Sequence, residues 1–218
     1  MWFMNGAATT PTGFGNVAPT WIIEGVGDFN GDTREDILWR DSSSGAMSIW
    51  FLNGVAVTGG AFGSITSNWV VEGLADFNGD GRDDILWRNS STGSMSMWFM
   101  NGLAVTGGAF GSISSNWVVQ GTGEFNGDGR QDILWRNTTT GLVSFWFMNG
   151  QAVTGTNNVA LSNSWTIEAV GDYNGNGTDD IIFRDAAGNL AAWYVNGASI
   201  TGASLGSLST DWVINPGG

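Results

Sequence analysis

The chain contains no cysteine, no histidine and no lysine, and only 3 prolines in 218 residues. Without cysteine there are no disulfides and no thiol chemistry, which by itself says little about compartment. Without His, Cys and Lys the commonest general bases and nucleophiles are missing. Glycoside hydrolysis needs two carboxylates flanking a substrate, but most carboxylates here belong to the repeated loops described below, so catalysis is not expected. No apolar run approaches the ~18–20 residues of a membrane span, and no signal peptide is recognisable. Seven arginines oppose twenty acids for a formal charge of −13, which argues against a nucleic-acid partner.

Glycine (35) and tryptophan (13) are abundant instead, within 42% hydrophobic content. One stretch organises the rest: Asp76-Phe77-Asn78-Gly79-Asp80-Gly81-Arg82-Asp83-Asp84. Oxygen side chains occupy its first, third, fifth and ninth positions, and glycines the fourth and sixth. A hard cation such as Ca2+ takes six to eight oxygen ligands, and a tightly curled loop aims alternate side chains inward. The position-seven carbonyl, here of Arg82, is a candidate main-chain ligand. The loop recurs every 48 residues. The candidate ligands are Asp28, Asn30, Asp32, Arg34 and Asp36; Asp76, Asn78, Asp80, Arg82 and Asp84; Glu124, Asn126, Asp128, Arg130 and Asp132; and Asp172, Asn174, Asn176, Thr178 and Asp180. A single copy would pass for an ordinary turn, whereas four copies in phase point to as many as four calcium ions. Eleven of the twenty acids sit at these positions, and four such ions would bring the formal charge from −13 to −5. Position twelve is Trp39, Trp87, Trp135 or Phe183, so the loop is not an EF-hand, which needs Glu there.

Each repeat predicts four strands, called A to D. In the second repeat A is Trp69 to Ala75, B is Asp84 to Arg88, C is Ser94 to Met100, and D starts near Leu103. Asn101-Gly102 joins C to D, a strong hairpin signal that recurs at Asn5-Gly6, Asn53-Gly54, Asn149-Gly150 and Asn196-Gly197. Full repeats run 21–68, 69–116, 117–164 and 165–211. Residues 1–20 supply only C and D, and 212–218 only A. The chain opens inside a repeat, which suggests a piece cut or engineered from a longer array. In the A–B hairpin, Ala75 is expected to face Ile85, Gly73 to face Trp87 and Glu72 to face Arg88. The same register sets Gly25 against Trp39 and Ala169 against Phe183, with Glu24–Arg40, Glu168–Arg184 and Gln120–Arg136 as cross-strand pairs.

Four-stranded antiparallel units of this length with periodic Gly and aromatics read as blades of an all-β propeller. Gly27-Asp28-Phe29-Asn30-Gly31-Asp32 and Asp36-Ile37-Leu38-Trp39-Arg40, with their repeats, resemble the FG-GAP and VCBS repeat family. That family forms the calcium-binding blades of integrin-α-type propellers and of some lectins. The resemblance implies a secreted or cell-surface adhesion or carbohydrate-binding module. Thr33 and Asn176 depart from its loop pattern, and Asn176 should weaken the fourth site. Strand B occurs four times and the others five. The expectation is five blades, one of them incomplete and built from residues 1–20 and 212–218. A second chain could fill its gap, and an open four-blade arc that oligomerises is the alternative.

The tryptophans fall into three families: Trp2, Trp50, Trp98, Trp146 and Trp193 on strand C; Trp21, Trp69, Trp117, Trp165 and Trp212 on strand A; and Trp39, Trp87 and Trp135 on strand B. Packing between blades is the plain reading of any one of them. A repeated platform for stacking sugars is the sharper one, with Trp50, Trp98, Trp146, Trp193, Trp69, Trp117 and Trp165 as candidates. Arg34, Arg82 and Arg130 are expected to point to water. Asn89, Asn137 and Asn176 open glycosylation-type triplets but read as turn or ligand residues. The competing functional class is a purely structural calcium-stiffened repeat without a ligand of its own. A concave, solvent-facing Trp site beside polar groups would separate the two classes.

Overall fold

The computed structural model describes residues 2–5, 8–11 and 16–213, with side chains over 16–213. Among these the secondary structure is β-strand throughout. A hairpin of β1 (Trp2–Asn5) and β2 (Ala8–Pro11) comes first. Four antiparallel four-stranded sheets follow. The first holds β3 (Trp21–Gly27), β4 (Asp36–Asp41), β5 (Ala46–Asn53) and β6 (Ala56–Ser64). The second holds β7 (Trp69–Ala75), β8 (Asp84–Asn89), β9 (Ser94–Asn101) and β10 (Ala104–Ser112). In the third are β11 (Trp117–Gly123), β12 (Asp132–Asn137), β13 (Leu142–Asn149) and β14 (Ala152–Ala160). The fourth comprises β15 (Trp165–Gly171), β16 (Asp180–Asp185), β17 (Asn189–Asn196) and β18 (Ser199–Ser207). Strand order within every sheet follows the chain, because each connection is a short turn. The expected fifth blade draws on residues 1, 6–7, 12–15 and 214–218, which lie outside the described residues. No described helix is long and apolar enough to cross a membrane.

At each C–D turn, Asn53 pairs with Ala56 and leaves Gly54 as the first central residue, with φ 62°. Only glycine takes that conformation cheaply, and it is what a type II′ hairpin needs. Gly102, Gly150 and Gly197 repeat it at 62°, 59° and 58°.

The chain divides into two compact bodies, Met1–Ala75 with Asp80–Ala109, and Asp76–Gly79 with Phe110–Gly218. In the first, Phe29, Leu38, Met47, Ile49, Ile85, Trp87 and Met100 form the core. In the second the core is Phe125, Leu134, Val143, Phe145, Ile181, Phe183 and Val195. Each core joins consecutive sheets, since β5 and β13 carry apolar groups on both faces. Loop position two is the plug: Phe29, Phe77 and Phe125 are fully buried, while Tyr173 of the last repeat is 49% exposed.

The A–B register differs from expectation. Val71 faces Trp87, Gly73 faces Leu86, Leu74 faces Ile85 and Ala75 faces Asp84. Glu72 lies in a bulge, as do Glu24, Gln120 and Glu168 at the matching places. An extra residue on one strand shifts every pair beyond it. The Glu–Arg pairs survive, at 3.3 Å for Glu24–Arg40, 3.8 Å for Glu72–Arg88 and 3.0 Å for Glu168–Arg184. Gln120 instead donates to the Val119 carbonyl at 3.4 Å. Gly25 and Gly121 do not make room for an opposing Trp. A Cβ on Gly25 would come within 2.3 Å of Leu74, and one on Gly121 within 3.1 Å of Val170. These glycines admit an apolar side chain from the next repeat.

Candidate functional site: metal loops and tryptophan grooves

Each loop sits between strands A and B and is wound by left-handed residues at positions four and six. Gly31 and Thr33 have φ 78° and 68°, Gly127 and Gly129 81° and 79°, and Gly175 and Gly177 77° and 86°. Thr33 is the one described non-glycine residue with positive φ. A Cβ costs roughly 1–2 kcal/mol there, so the first loop is strained where the others are not.

The position-one carboxylate collects the inward-facing amides. Asp28 accepts from the N–H groups of Gly31 (2.7 Å), Asp32 (3.1 Å) and Thr33 (2.6 Å). Asp172 accepts from Gly175, Asn176 and Gly177 at 2.7, 3.1 and 2.9 Å. These bonds hold the Asp172 carboxyl below the usual carboxylate range. Glu124, one methylene longer, still reaches the amides of Asn126, Gly127 and Gly129. Within the second loop, Asp76 accepts from Gly79 at 2.7 Å.

Position nine is fully buried in all four loops, at Asp36, Asp84, Asp132 and Asp180. Asp36 accepts from Phe29 N–H (3.2 Å), Leu52 N–H (3.1 Å) and the Asn30 amide (3.2 Å). Asp132 accepts from Phe125 and Met148 at 3.1 and 2.8 Å. Asp180 does so from Tyr173, Val195 and the Asn174 amide. Asp84 accepts from Met100 at 3.1 Å. Burial pushes the Asp36 carboxyl up to about 6, with the charges of Asp32 and Asp28 adding to the effect. It pushes Asp132 up to about 7, reinforced by Asp128 and Glu124. These two carboxylates face other acids and bond only to neutral donors. A cation is the partner that would relieve that charge.

The donor set fits a hard divalent ion: oxygen groups only, on a loop whose turns are already formed, around under-compensated negative charge. Asp28, Asn30, Asp32 and Asp36, and their counterparts, would hold it. Among the described residues no three acidic side chains converge at ligand spacing, because the position-one acids are turned onto their own loop amides.

Position seven departs from expectation at Arg82 and Arg130, while Arg34 is exposed as expected. Arg34, Arg82 and Arg130 pair with the position-five carboxylates of Asp32, Asp80 and Asp128 at 3.0, 3.3 and 3.5 Å. The Arg82 stem lies over Gly31 and the Arg130 stem over Gly79, and their buried Nε atoms lack a hydrogen-bond partner. Arg82 and Arg130 thus cover the preceding loop rather than extending fully into water. Thr178 takes the position in the fourth loop, where its hydroxyl bonds the Val195 carbonyl and Asn176 Oδ1.

The strand C tryptophans wall a set of grooves. One, of about 220 Å³, is lined by Asn16, Trp21, Trp39, Ser48 and Trp50 among others. A second, of about 280 Å³, has Trp117, Ser144, Trp146, Thr156 and Asn158. A third, of about 610 Å³, has Trp165, Asn189, Trp193 and Ser204. Every groove pairs a strand A Trp with a strand C Trp, and none is lined by a charged residue. Strand B aromatics pack against the strand C wall: Trp39–Trp50, Trp135–Trp146 and Phe183–Trp193 ring centres lie 5.0, 5.3 and 4.6 Å apart. Trp69 and Trp98 pack on the core of the first body, as Trp165 and Trp193 do on that of the second, and Phe62 lies edge-on to Trp98 at 6.3 Å. Trp21 was not among the expected ligand tryptophans, although its place in the repeat matches Trp117 and Trp165.

A family model described as an FG-GAP-like repeat matches residues 28–87 and 124–183. Each match opens on position one of a loop, Asp28 or Glu124, and spans two loops. The chain belongs to the FG-GAP-like repeat family. No curated protein matches it. In this FG-GAP-like chain Asn89 and Asn137 are turn residues: their Oδ1 atoms accept from Ser91 and Thr92, and from Thr139 and Thr140.

Proposed function

We propose that this FG-GAP-like chain is a non-catalytic, propeller-type binding module. In this reading up to four calcium ions stiffen its loops, and neutral carbohydrate is its ligand. The observation that carries the reading is the recurrence of one groove, walled by Trp21 and Trp50, by Trp117 and Trp146, and by Trp165 and Trp193. An aromatic wall beside hydroxyl and amide groups suits a sugar, which has an apolar face and a polar rim. The uncharged lining and the net charge of −13 disfavour sulfated or sialylated glycans. Repetition makes binding multivalent, so weak single sites sum to useful avidity. Calcium supports the ligand sites indirectly by holding strands A and B together. Millimolar calcium outside cells would fill such loops, which fits an adhesive role at a cell surface or in secretion. Five blades with one incomplete, or an open four-blade arc that oligomerises, belong to the same proposal.

A glycan-array screen in millimolar calcium, and again in EDTA, tests the ligand. Binding to neutral glycans that W50A and W146A reduce, in protein that stays folded, supports the reading. No binding by folded, calcium-loaded protein would favour a structural repeat without a ligand.

A further inference from the structure

We infer that the third and fourth metal loops take up calcium as a coupled pair, with Asp179 as the positioning residue between them. The inference rests on the calcium reading above. Asp179 is position eight of the fourth loop, beside the candidate ligand Asp180. Its side chain does not turn into its own loop. Asp179 Oδ2 accepts from the Glu124 N–H at 2.8 Å, and the Asp179 N–H donates to the Glu124 carbonyl at 2.5 Å. Glu124 is position one of the third loop. The residue that gathers the third loop's amides is thus gripped at both backbone groups by the fourth loop. Gly197, in the C–D turn of the fourth repeat, adds a bond to the Phe125 carbonyl at 2.7 Å.

Room for this clamp is built in. A Cβ on Gly123 would lie 2.8 Å from Asp179 Oδ2. The other body has the same device: Asp83 Oδ2 accepts from Asp28 N–H at 2.8 Å, Asp83 N–H donates to the Asp28 carbonyl at 2.8 Å, and a Cβ on Gly27 would lie 2.6 Å from Asp83 Oδ2. Gln131, at position eight of the third loop, donates its N–H to the Asp76 carbonyl at 2.9 Å but brings no carboxylate. Electrostatics tie the pair as well. The Asp179 carboxylate feels the charges of Glu124 in one loop and of Asp172 and Asp180 in the other. An ion in the fourth loop fixes the segment that carries Asp179 and lessens the repulsion on it. The third loop's first ligand is then already in place when its own ion arrives, which is positive coupling.

The test follows the amides of Gly127 and Gly129, and of Gly175 and Gly177, by 1H–15N correlation spectra. Calcium chloride is added to the metal-stripped full chain. D172N, which weakens the fourth loop, is expected to lower the third loop's calcium affinity about fivefold or more. In the D179A background D172N is expected to leave the third loop's affinity unchanged. D179N keeps an acceptor for the Glu124 N–H and should retain part of the coupling. D179S, too short to make that bond, replaces D179A in the cycle if D179A does not fold. Third-loop affinity indifferent to D172N in the parent chain, or falling equally in D179A, would overturn the coupling while leaving calcium binding intact. If millimolar calcium moves none of the four amides, the calcium reading fails and this inference with it.

Discussion

The Arg136 guanidinium donates to the Trp165 carbonyl at 2.6 Å, bridging the end of strand B in one repeat to the start of strand A in the next. A second bond runs to the Ser162 carbonyl at 3.0 Å. Arg40 repeats this with Trp69 and Thr66 at 2.7 and 2.8 Å, and Arg184 with Trp212 at 2.5 Å. Arg40, Arg136 and Arg184 thus staple repeats together, and Arg40 and Arg184 also meet the bulged Glu. Because Gln120 gives Arg136 no opposing charge, R136A isolates the staple. Losing two charge-assisted bonds to backbone acceptors should cost about 3 kcal/mol. Thermal or urea melts of R136A against R136K measure it. An unchanged midpoint for R136A would show the staple to be inert.

T33G should stabilise the chain by about 1 kcal/mol, because glycine removes the Cβ strain at φ 68° and gives back only part of that in unfolded-state entropy. The equivalent G129T should cost at least as much. Denaturant midpoints of both variants decide it, and a destabilised T33G would mean that the Thr33 side chain contributes more than the strain removes.

Loop position two offers a paired test. F125A should cost about 3–5 kcal/mol, since Phe125 is fully buried between sheets. Y173A should cost about 1 kcal/mol or less, because Tyr173 is half exposed. Equal losses in urea unfolding would contradict the plug.

Asp36 and Asp132 set a pH dependence for metal-free protein. Their folded pKa values, about 6 and about 7, lie above the ordinary 3.8. Their contribution is present in full below about pH 4 and is lost as pH rises through about 6 to 7. Asp41, Asp172 and Asp185, held low by hydrogen bonds, act oppositely, and their contribution disappears as pH falls below about 4. In EDTA, stability should peak in the mildly acidic range and decline toward pH 8. With calcium the neutral-side decline should vanish, because the ion competes with protons for the same carboxylates. A decline that is identical with and without calcium would contradict the assignment.

The strands and turns were legible in the sequence because each boundary carries its own chemistry: Asn-Gly at the C–D turn and Asp-Asn-Gly at the A–B loop. The register was not. Glu24, Glu72 and Glu168 look like ordinary outward strand residues, and nothing local says that they bulge. That misplaced the role of Gly25, which answers to Leu74 of the next repeat. Asp83-Asp84 and Asp179-Asp180 each look like a single acidic ligand site, yet the first of each pair leaves its loop to clamp a loop 55 residues away. Such roles are set by repeat stacking, which one repeat's own sequence does not encode.

Calorimetric titration of the metal-stripped chain with calcium, with magnesium as the reference, tests the central claim most directly. About three or four ions should bind per chain in the micromolar to millimolar range, with D36N or D132N each removing about one. Heats no larger than magnesium's, up to several millimolar calcium, would show that the loops are turns held by their own hydrogen bonds and not metal sites.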